Sequence, residues 1–127
     1  MRLLLDTQIF LWYLDQTARI PLVAREAIEA TDNTVLVSAV VIWEIAIKTS
    51  VGRLEIPTTE LRRLPRLIEA TGFAELPVLA RHAAGVHALP WHHRDPFDRL
   101  MVAQAREESL TLVTVDPAIR AYDVPVL

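Results

Sequence analysis

The chain has 127 residues, a net charge of -3 and no cysteine. We expect one domain spanning residues 1–127, and the missing cysteines exclude disulfide frameworks, thiolate metal sites and thiol nucleophiles. The acidic charge argues against a broadly basic nucleic-acid surface, and the hydrophobic fraction of 52% favours buried parallel strands or an apolar surface covered by a partner.

The first segments predict a strand followed by a helix. "RLLL" is a strand candidate that ends at Asp6, and Ile9, Trp12 and Tyr13 recur at helical spacing in "TQIFLWYL". Asp6 interrupts the apolar N-terminal run before a signal peptide could form, and no uncharged run reaches the length of a membrane span. We therefore expect a cytoplasmic protein.

A second helix and strand follow. Pro21 begins a helix that directs Leu22, Ala24, Ala27 and Ile28 toward the core, and "TVLV" is the next buried strand. The pattern so far is strand, helix, helix, strand.

The third helix carries an acid in an apolar stretch. Ser38 is its predicted N-cap, and Gly52 lies just past its end. Glu44 and Ser38 are the only polar side chains from Val35 to Ile47, and an unpaired buried carboxylate costs on the order of several kcal/mol. We expect a compensating partner for Glu44.

The second half completes an alternating pattern. Its predicted elements are a helix over 58–71 interrupted at Pro65, a short strand over 73–76, a helix over 79–86, a helix in "PFDRLMVAQAREE", a strand in "LTLVTVD" and a last short strand in "PVL". Such alternation indicates an α/β domain with a mostly parallel central sheet.

Four acids fall where a parallel sheet binds its ligands. Asp6 and Asp116 follow strands, Glu44 lies on the helix after the second strand, and Asp98 is in the first turn of a later helix. Ligands bind outside the carboxyl ends of parallel strands, and converging carboxylates repel one another unless a cation neutralises them. Oxygen-only ligands favour Mg²⁺ or Mn²⁺ over zinc.

Each acid also has a simpler interpretation. Asp6, Asp95 and Asp116 could be helix N-caps, which is the better interpretation for Asp95. Glu44 could pair with Lys48 one turn later, which suffices only on an exposed face.

Four motifs in this order resemble the PIN-domain ribonucleases, and among them the VapC-type toxins of bacterial toxin–antitoxin pairs. They are "LLLDTQIFLWYL", "VSAVVIWEIAIK", "DPFDRLMVAQA" and "LVTVD", and together they cover nearly the whole chain. The resemblance implies a PIN-like three-layer α/β/α sandwich.

The resemblance also implies the site and the activity. Asp6, Glu44, Asp98 and Asp116 would be the catalytic and metal-binding residues, and Thr7, Thr114 and Asp95 would support them. The reaction would be hydrolysis of an RNA phosphodiester with Mg²⁺ or Mn²⁺, leaving 5′-phosphate and 3′-hydroxyl ends. The expected partners are a structured RNA, a VapB-type antitoxin that blocks the site, and a second copy of the chain.

Several other side chains have weaker claims to a functional role. Adjacent histidines on a turn point apart, so we expect no metal role for His92 and His93. Arg62, Arg63 and Arg66 predict a solvated helix face. Trp91 could stack an RNA base, whereas the apolar periodicity around Trp12 and Trp43 indicates core or interface positions.

Two rival functions differ from a nuclease. A phosphoacceptor domain needs paired acids after its first strand and a lysine after its fifth, but Asp6 stands alone and Lys48 is the only lysine. A catalytically inert interaction module would use the acids only as caps, and it would bind Mg²⁺ negligibly in a metal titration.

Overall fold

The computed structural model describes all residues 1–127. Its strands and helices are β1 (Arg2–Leu5), α1 (Thr7–Asp15), α2 (Leu22–Glu29), β2 (Thr34–Ser38), α3 (Ala39–Ser50), α4 (Thr58–Ala70), β3 (Ala74–Leu76), α5 (Ala80–Gly85), α6 (Pro96–Glu108), β4 (Thr111–Val113) and α7 (Pro117–Arg120), with short 3₁₀ turns at Thr17–Arg19 and Val86–Ala88. None of the helices combines the length and the hydropathy needed to cross a membrane.

The four strands form one sheet in the order β3-β2-β1-β4, and every neighbouring pair is parallel. Each connection leads from one strand to a parallel one, so it must cross over a face of the sheet, which is where the helices lie. β1 is the switch point, because the chain moves outward from it to β2 and β3 and then returns to its other side with β4.

Alternating residues of β1 separate two cores. Leu3 and Leu5 pack in a core that contains Ile9 of α1 and Ile45 of α3, whereas Leu4 packs in a second core on the opposite face, formed with residues of α6, β4 and α7. The period-two alternation of a strand explains this division. Helices therefore cover both faces, and the predicted three-layer α/β/α sandwich is confirmed.

Two predictions about helices were wrong. α4 continues through Pro65, since Leu64 and Ile68 are buried in the core beside it. Burying two such side chains contributes roughly 3–6 kcal/mol, which offsets the cost of about 3 kcal/mol for an internal proline. Leu22 is 57% exposed rather than in the core, because it lies about 200° around the helix from the buried Ala24.

The C-terminal segment is shorter as a strand than predicted. Leu112 and Val126 form a single parallel bridge instead of a full strand. Leu112 donates its amide to the Pro125 carbonyl at 2.9 Å and accepts from the Leu127 amide at 2.8 Å. The segment thus lies along the edge of β4 without extending the sheet.

Candidate active site

The carboxyl ends of β1 and β4 lie side by side and deliver two of the predicted acids. The Asp6 amide donates to the Val113 carbonyl at 3.1 Å, and the Asp6 side chain is nearly buried. Asp6 also caps α1 by accepting from the Ile9 amide at 2.8 Å through Oδ1. The cap and the position at the strand end are therefore both present, and Oδ2 is not used by the cap.

Asp116 is arranged in the same way after β4. Its Oδ1 caps α7 by accepting from the Ala118 amide at 2.9 Å. The hydroxyl of Thr114, two residues earlier, is buried and accepts from the Asp116 amide at 3.1 Å. The chain between Thr114 and Asp116 is thus held at the carboxyl end of the strands, where Asp6 also lies.

Glu44 is buried, and it has two partners from the chain. Its Oε1 accepts from the Thr7 hydroxyl at 2.6 Å, and its Oε2 forms an ion pair with Lys48. The i,i+4 pair with Lys48 was considered from the sequence as an exposed interaction, but Glu44 is only 3% exposed. The hydroxyl and the ammonium together compensate the buried charge.

Asp95 and Asp98, at the start of α6, make different contacts. Asp95 is the N-cap, since its Oδ1 accepts from the amides of Phe97 at 2.8 Å and Asp98 at 3.2 Å. This confirms the predicted cap. The Asp98 carboxylate does not cap the helix, and its Oδ2 lies 3.1 Å from Nε2 of His93.

Asp6 is buried and Asp98 is half-buried, and each is near enough to other acids for their charges to raise its pKa. Burial raises the pKa of Asp6 from its ordinary 3.8 to about 6, the Thr114 hydroxyl and Ile9 amide oppose the shift, and the charges of Asp116 and Glu44 add to it. For Asp98, burial raises the pKa to about 7, and the charges of Asp95, Glu44 and Asp6 also favour its neutral form. Both shifts arise from desolvation and repulsion between like charges.

Lys48 is the basic side chain that this acidic cluster affects most clearly. Partial burial favours its neutral amine, but Glu44, Asp95 and Asp98 outweigh that effect and raise the pKa of Lys48. Lys48 is therefore a fixed positive charge beside the acids.

A family model described as the PIN domain matches residues 3–125 of the chain. The chain belongs to the PIN-domain family. A curated relative named Ribonuclease VapC22, from Mycobacterium tuberculosis, is 31% identical over 123 residues, which cover 96% of this chain and 92% of the relative. The family predicted from the sequence is confirmed.

Two solved structures resemble this PIN domain along its whole length. VapBC2 from Rickettsia felis, bound to a DNA fragment from its promoter, aligns with a TM-score of 0.74 at 18% identity, covering 100% of this chain and 98% of that one. VapBC-5 from Mycobacterium tuberculosis aligns with a TM-score of 0.58 at 25% identity, covering 99% and 97%. Both similarities agree with the all-parallel fold described above.

One residue of the PIN-domain site was not predicted from the sequence. His93 Nε2 lies 3.2 Å from Asp116 Oδ2 and 3.1 Å from Asp98 Oδ2, and these three side chains could offer a metal ligand atom each within 4.8 Å of one another. The two adjacent histidines have different surroundings, in keeping with the expectation that they point apart: His93 lies beside the acids, whereas His92 is exposed and packs edge-on against Tyr122. The available signal was that His93 stands five residues before Asp98, on the loop that leads into α6.

The other candidates lie farther from the acids in the PIN domain or on its surface. Arg62, Arg63 and Arg66 are exposed on α4, as predicted. Trp43 is 54% exposed and packs edge-on against Phe97, so it is a surface residue and not a core residue.

Proposed function

We propose that this PIN domain is a metal-dependent endoribonuclease and the toxin component of a VapBC-type toxin–antitoxin pair. The observation that carries the proposal is the charge at the ends of β1 and β4. Asp6, Glu44, Asp98 and Asp116 supply four carboxylates, and Lys48 supplies one ammonium. Burial and, to a lesser extent, repulsion from neighbouring carboxylates raise the pKa of Asp6 and Asp98, and a divalent cation would favour their ionised forms.

The side chains present fit Mg²⁺ or Mn²⁺. The four acids offer only oxygen atoms, which hard cations prefer. Neighbouring side chains help to hold two of these acids in place. Thr7 holds Glu44 through its hydroxyl, and Asp95 holds the first turn of the helix that carries Asp98.

A bound Mg²⁺ or Mn²⁺ would lower the pKa of a water molecule and stabilise the negative charge of the phosphate that is cleaved. The chain's own residues would have two roles. Asp6 and Asp98, in their ionised forms, would hold the cation. Glu44 and Thr114, which are buried, would help to exclude bulk water. The expected products carry 5′-phosphate and 3′-hydroxyl ends.

RNA is the substrate that the relative's name supports. Trp91 is 76% exposed and lies two residues before His93, so its ring is available to stack an unpaired base near the acids. Its inner face lies 3.8 Å from the guanidinium carbon of Arg99, which fixes the ring.

An antitoxin is the partner that the solved VapBC neighbours support. A groove of about 850 Å³ lies between α1 and α4, and half of its lining residues are apolar, among them Leu11, Trp12 and Leu67. The guanidinium of Arg19 lies over the Trp12 ring at 4.9 Å. An apolar peptide segment flanked by charged residues would fit this groove, whose charged lining includes both arginines and acids. A cytoplasmic location is consistent with both proposed partners.

The proposed homodimer has a separate basis. Trp43 and Ile47 of α3 and Val51, the C-cap residue of that helix, follow one another at intervals of four residues, and all three are exposed. Such a stripe is typical of a helix face that packs against a second copy.

The function is tested by incubating purified, partner-free protein with total RNA in Mg²⁺, Mn²⁺ or EDTA. We expect cleavage only with metal, loss of cleavage in Asp6→Asn, and normal cleavage in Asp32→Asn, where the acid is exposed and lies before β2. Cleavage in EDTA, or equal cleavage by Asp6→Asn, would contradict the proposal. No cleavage together with no metal binding would favour the inert interaction module.

A further inference from the structure

The imidazole of His93 lies where it could either bind a cation or donate a proton. Its Nε2 is in hydrogen-bond geometry with Asp116 Oδ2 at 3.2 Å and lies 3.1 Å from Asp98 Oδ2. One nitrogen and two carboxylate oxygens at such distances could surround a metal ion, or the nitrogen could carry a hydrogen that it donates to Asp116. These two roles require different protonation of the same atom.

The other ring nitrogen distinguishes the two roles. His93 Nδ1 accepts a hydrogen bond from the Asp95 amide at 3.1 Å. A nitrogen that accepts carries no hydrogen, so this contact places the ring hydrogen on Nε2. A histidine that ligates a metal through Nε2 instead donates its Nδ1 hydrogen to a carboxylate, a carbonyl or water. Beside Nδ1 of His93 lies the Asp95 amide, which can only donate a hydrogen bond and not accept one.

The loop holds the ring in this orientation. The His93 amide donates to the Tyr122 hydroxyl at 3.0 Å, and that hydroxyl also accepts from Arg99 at 3.1 Å. Arg99 is buried and donates to the Pro90 carbonyl at 2.9 Å. Turning the ring over would leave the Asp95 amide without its acceptor, which costs about 1–3 kcal/mol if that amide is buried.

We propose that His93 is a positioning residue that donates its Nε2 hydrogen to Asp116 Oδ2 and does not ligate the cation. This inference rests on the proposed function, because it assigns a role within the same metal centre. The Ala118 amide already holds Asp116 Oδ1, so the His93 contact fixes the second oxygen of that carboxylate. Asp98 Oδ2 lies 3.1 Å from the same nitrogen but outside hydrogen-bond geometry, so Asp116 is the carboxylate that this hydrogen bond orients.

The protonation of the ring can be measured without any cleavage assay. Protein labelled with ¹⁵N-histidine would be examined by NMR in EDTA and in saturating Mg²⁺ at slightly alkaline pH, with the His93 signals assigned by their loss in His93→Gln. We expect the hydrogen on Nε2 in both conditions. Transfer of the hydrogen to Nδ1 on adding Mg²⁺ would overturn the proposal, and so would a nitrogen bound directly to Mn²⁺ in pulsed EPR that disappears in His93→Gln.

Substitutions separate the two hydrogen bonds of the ring. Glutamine can place an N–H near the position of Nε2, asparagine reaches only the position of Nδ1, and alanine replaces neither. We expect Mn²⁺ affinity close to wild type in His93→Gln and about 10–100-fold lower in His93→Asn and His93→Ala. His87→Gln is the matched control, since His87 is exposed and precedes the same loop.

The outcomes also separate this inference from the proposed function. If alanine and glutamine weaken Mn²⁺ binding equally, or if alanine has no effect, His93 does not act by donating a hydrogen bond. If the affinities follow the expected order but none of the proteins cleaves RNA, the positioning role stands and the ribonuclease function fails. Thermal melts in EDTA identify any variant whose loss of affinity reflects unfolding.

Discussion

Replacing Asp98 with asparagine should stabilise the metal-free protein while abolishing its activity. Burial and the neighbouring acids raise the pKa of Asp98 from 3.8 to about 7, which corresponds to about 4 kcal/mol of destabilisation once the group is fully ionised. Solvent at the partly exposed carboxylate reduces this to about 2 kcal/mol. Asparagine is neutral at every pH and removes this penalty.

The sign of the effect fixes its pH dependence. The folded protein binds the Asp98 proton more tightly than the unfolded chain, so the free energy of unfolding falls as pH rises from about 4 to about 7 and is then constant. Asp98→Asn should therefore match wild type near pH 4 and exceed it at pH 8.

Urea denaturation in EDTA at pH 5, 6, 7 and 8 measures this difference. Asp32→Asn is the control, because Asp32 is exposed and its substitution should shift all four free energies equally. A variant no more stable than wild type at pH 8, or a stability difference that is independent of pH, would refute the assignment of Asp98 to a repulsive acidic cluster.

Four further predictions follow from the site and its supports. Asp6→Asn should abolish metal-dependent cleavage without lowering the melting temperature in EDTA; a large fall would show that Asp6 is mainly a structural cap. Mn²⁺ should raise the melting temperature more at pH 8 than at pH 6, because protons on Asp6 and Asp98 compete with the metal; equal shifts would place the metal elsewhere. Arg99→Lys should cost about 2–3 kcal/mol in urea denaturation, since lysine cannot satisfy the several acceptors that the buried guanidinium reaches; an unchanged midpoint would contradict that role. Leu67→Glu in the groove should weaken binding of a co-expressed antitoxin, whereas Val78→Glu, exposed but outside the groove, should not; equal effects would move the interface.

The sequence predicted the sheet because its signals are local. The runs at β1, β2 and β4 are continuously apolar, as strands covered on both faces must be, and the helix starts at Ser38 and Asp95 follow capping preferences that act within three residues. The mistaken interruption at Pro65 shows the limit of such rules, since packing against the distant sheet decided that helix.

The site was only partly predictable for the same reason. The burial of Glu44 could be inferred from its apolar neighbours, but its hydroxyl partner Thr7 lies 37 residues away and comes into contact only through the packing of α1 against α3. The direction of the His93 ring depends on Tyr122 and Arg99, which bind the backbone of its loop. No spacing rule connects these residues.

Calorimetric titration of Mn²⁺ into metal-free protein at pH 7 tests the central claim, that the acids at the ends of β1 and β4 form one cation site. We expect saturable binding in wild type with release of protons to the buffer, because Asp6 and Asp98 are partly protonated near this pH. The double variant Asp6→Asn with Asp98→Asn should lose both the binding and the proton release. Equal Mn²⁺ binding by the two proteins would contradict the claim and show that the acids serve only as caps and ion-pair partners.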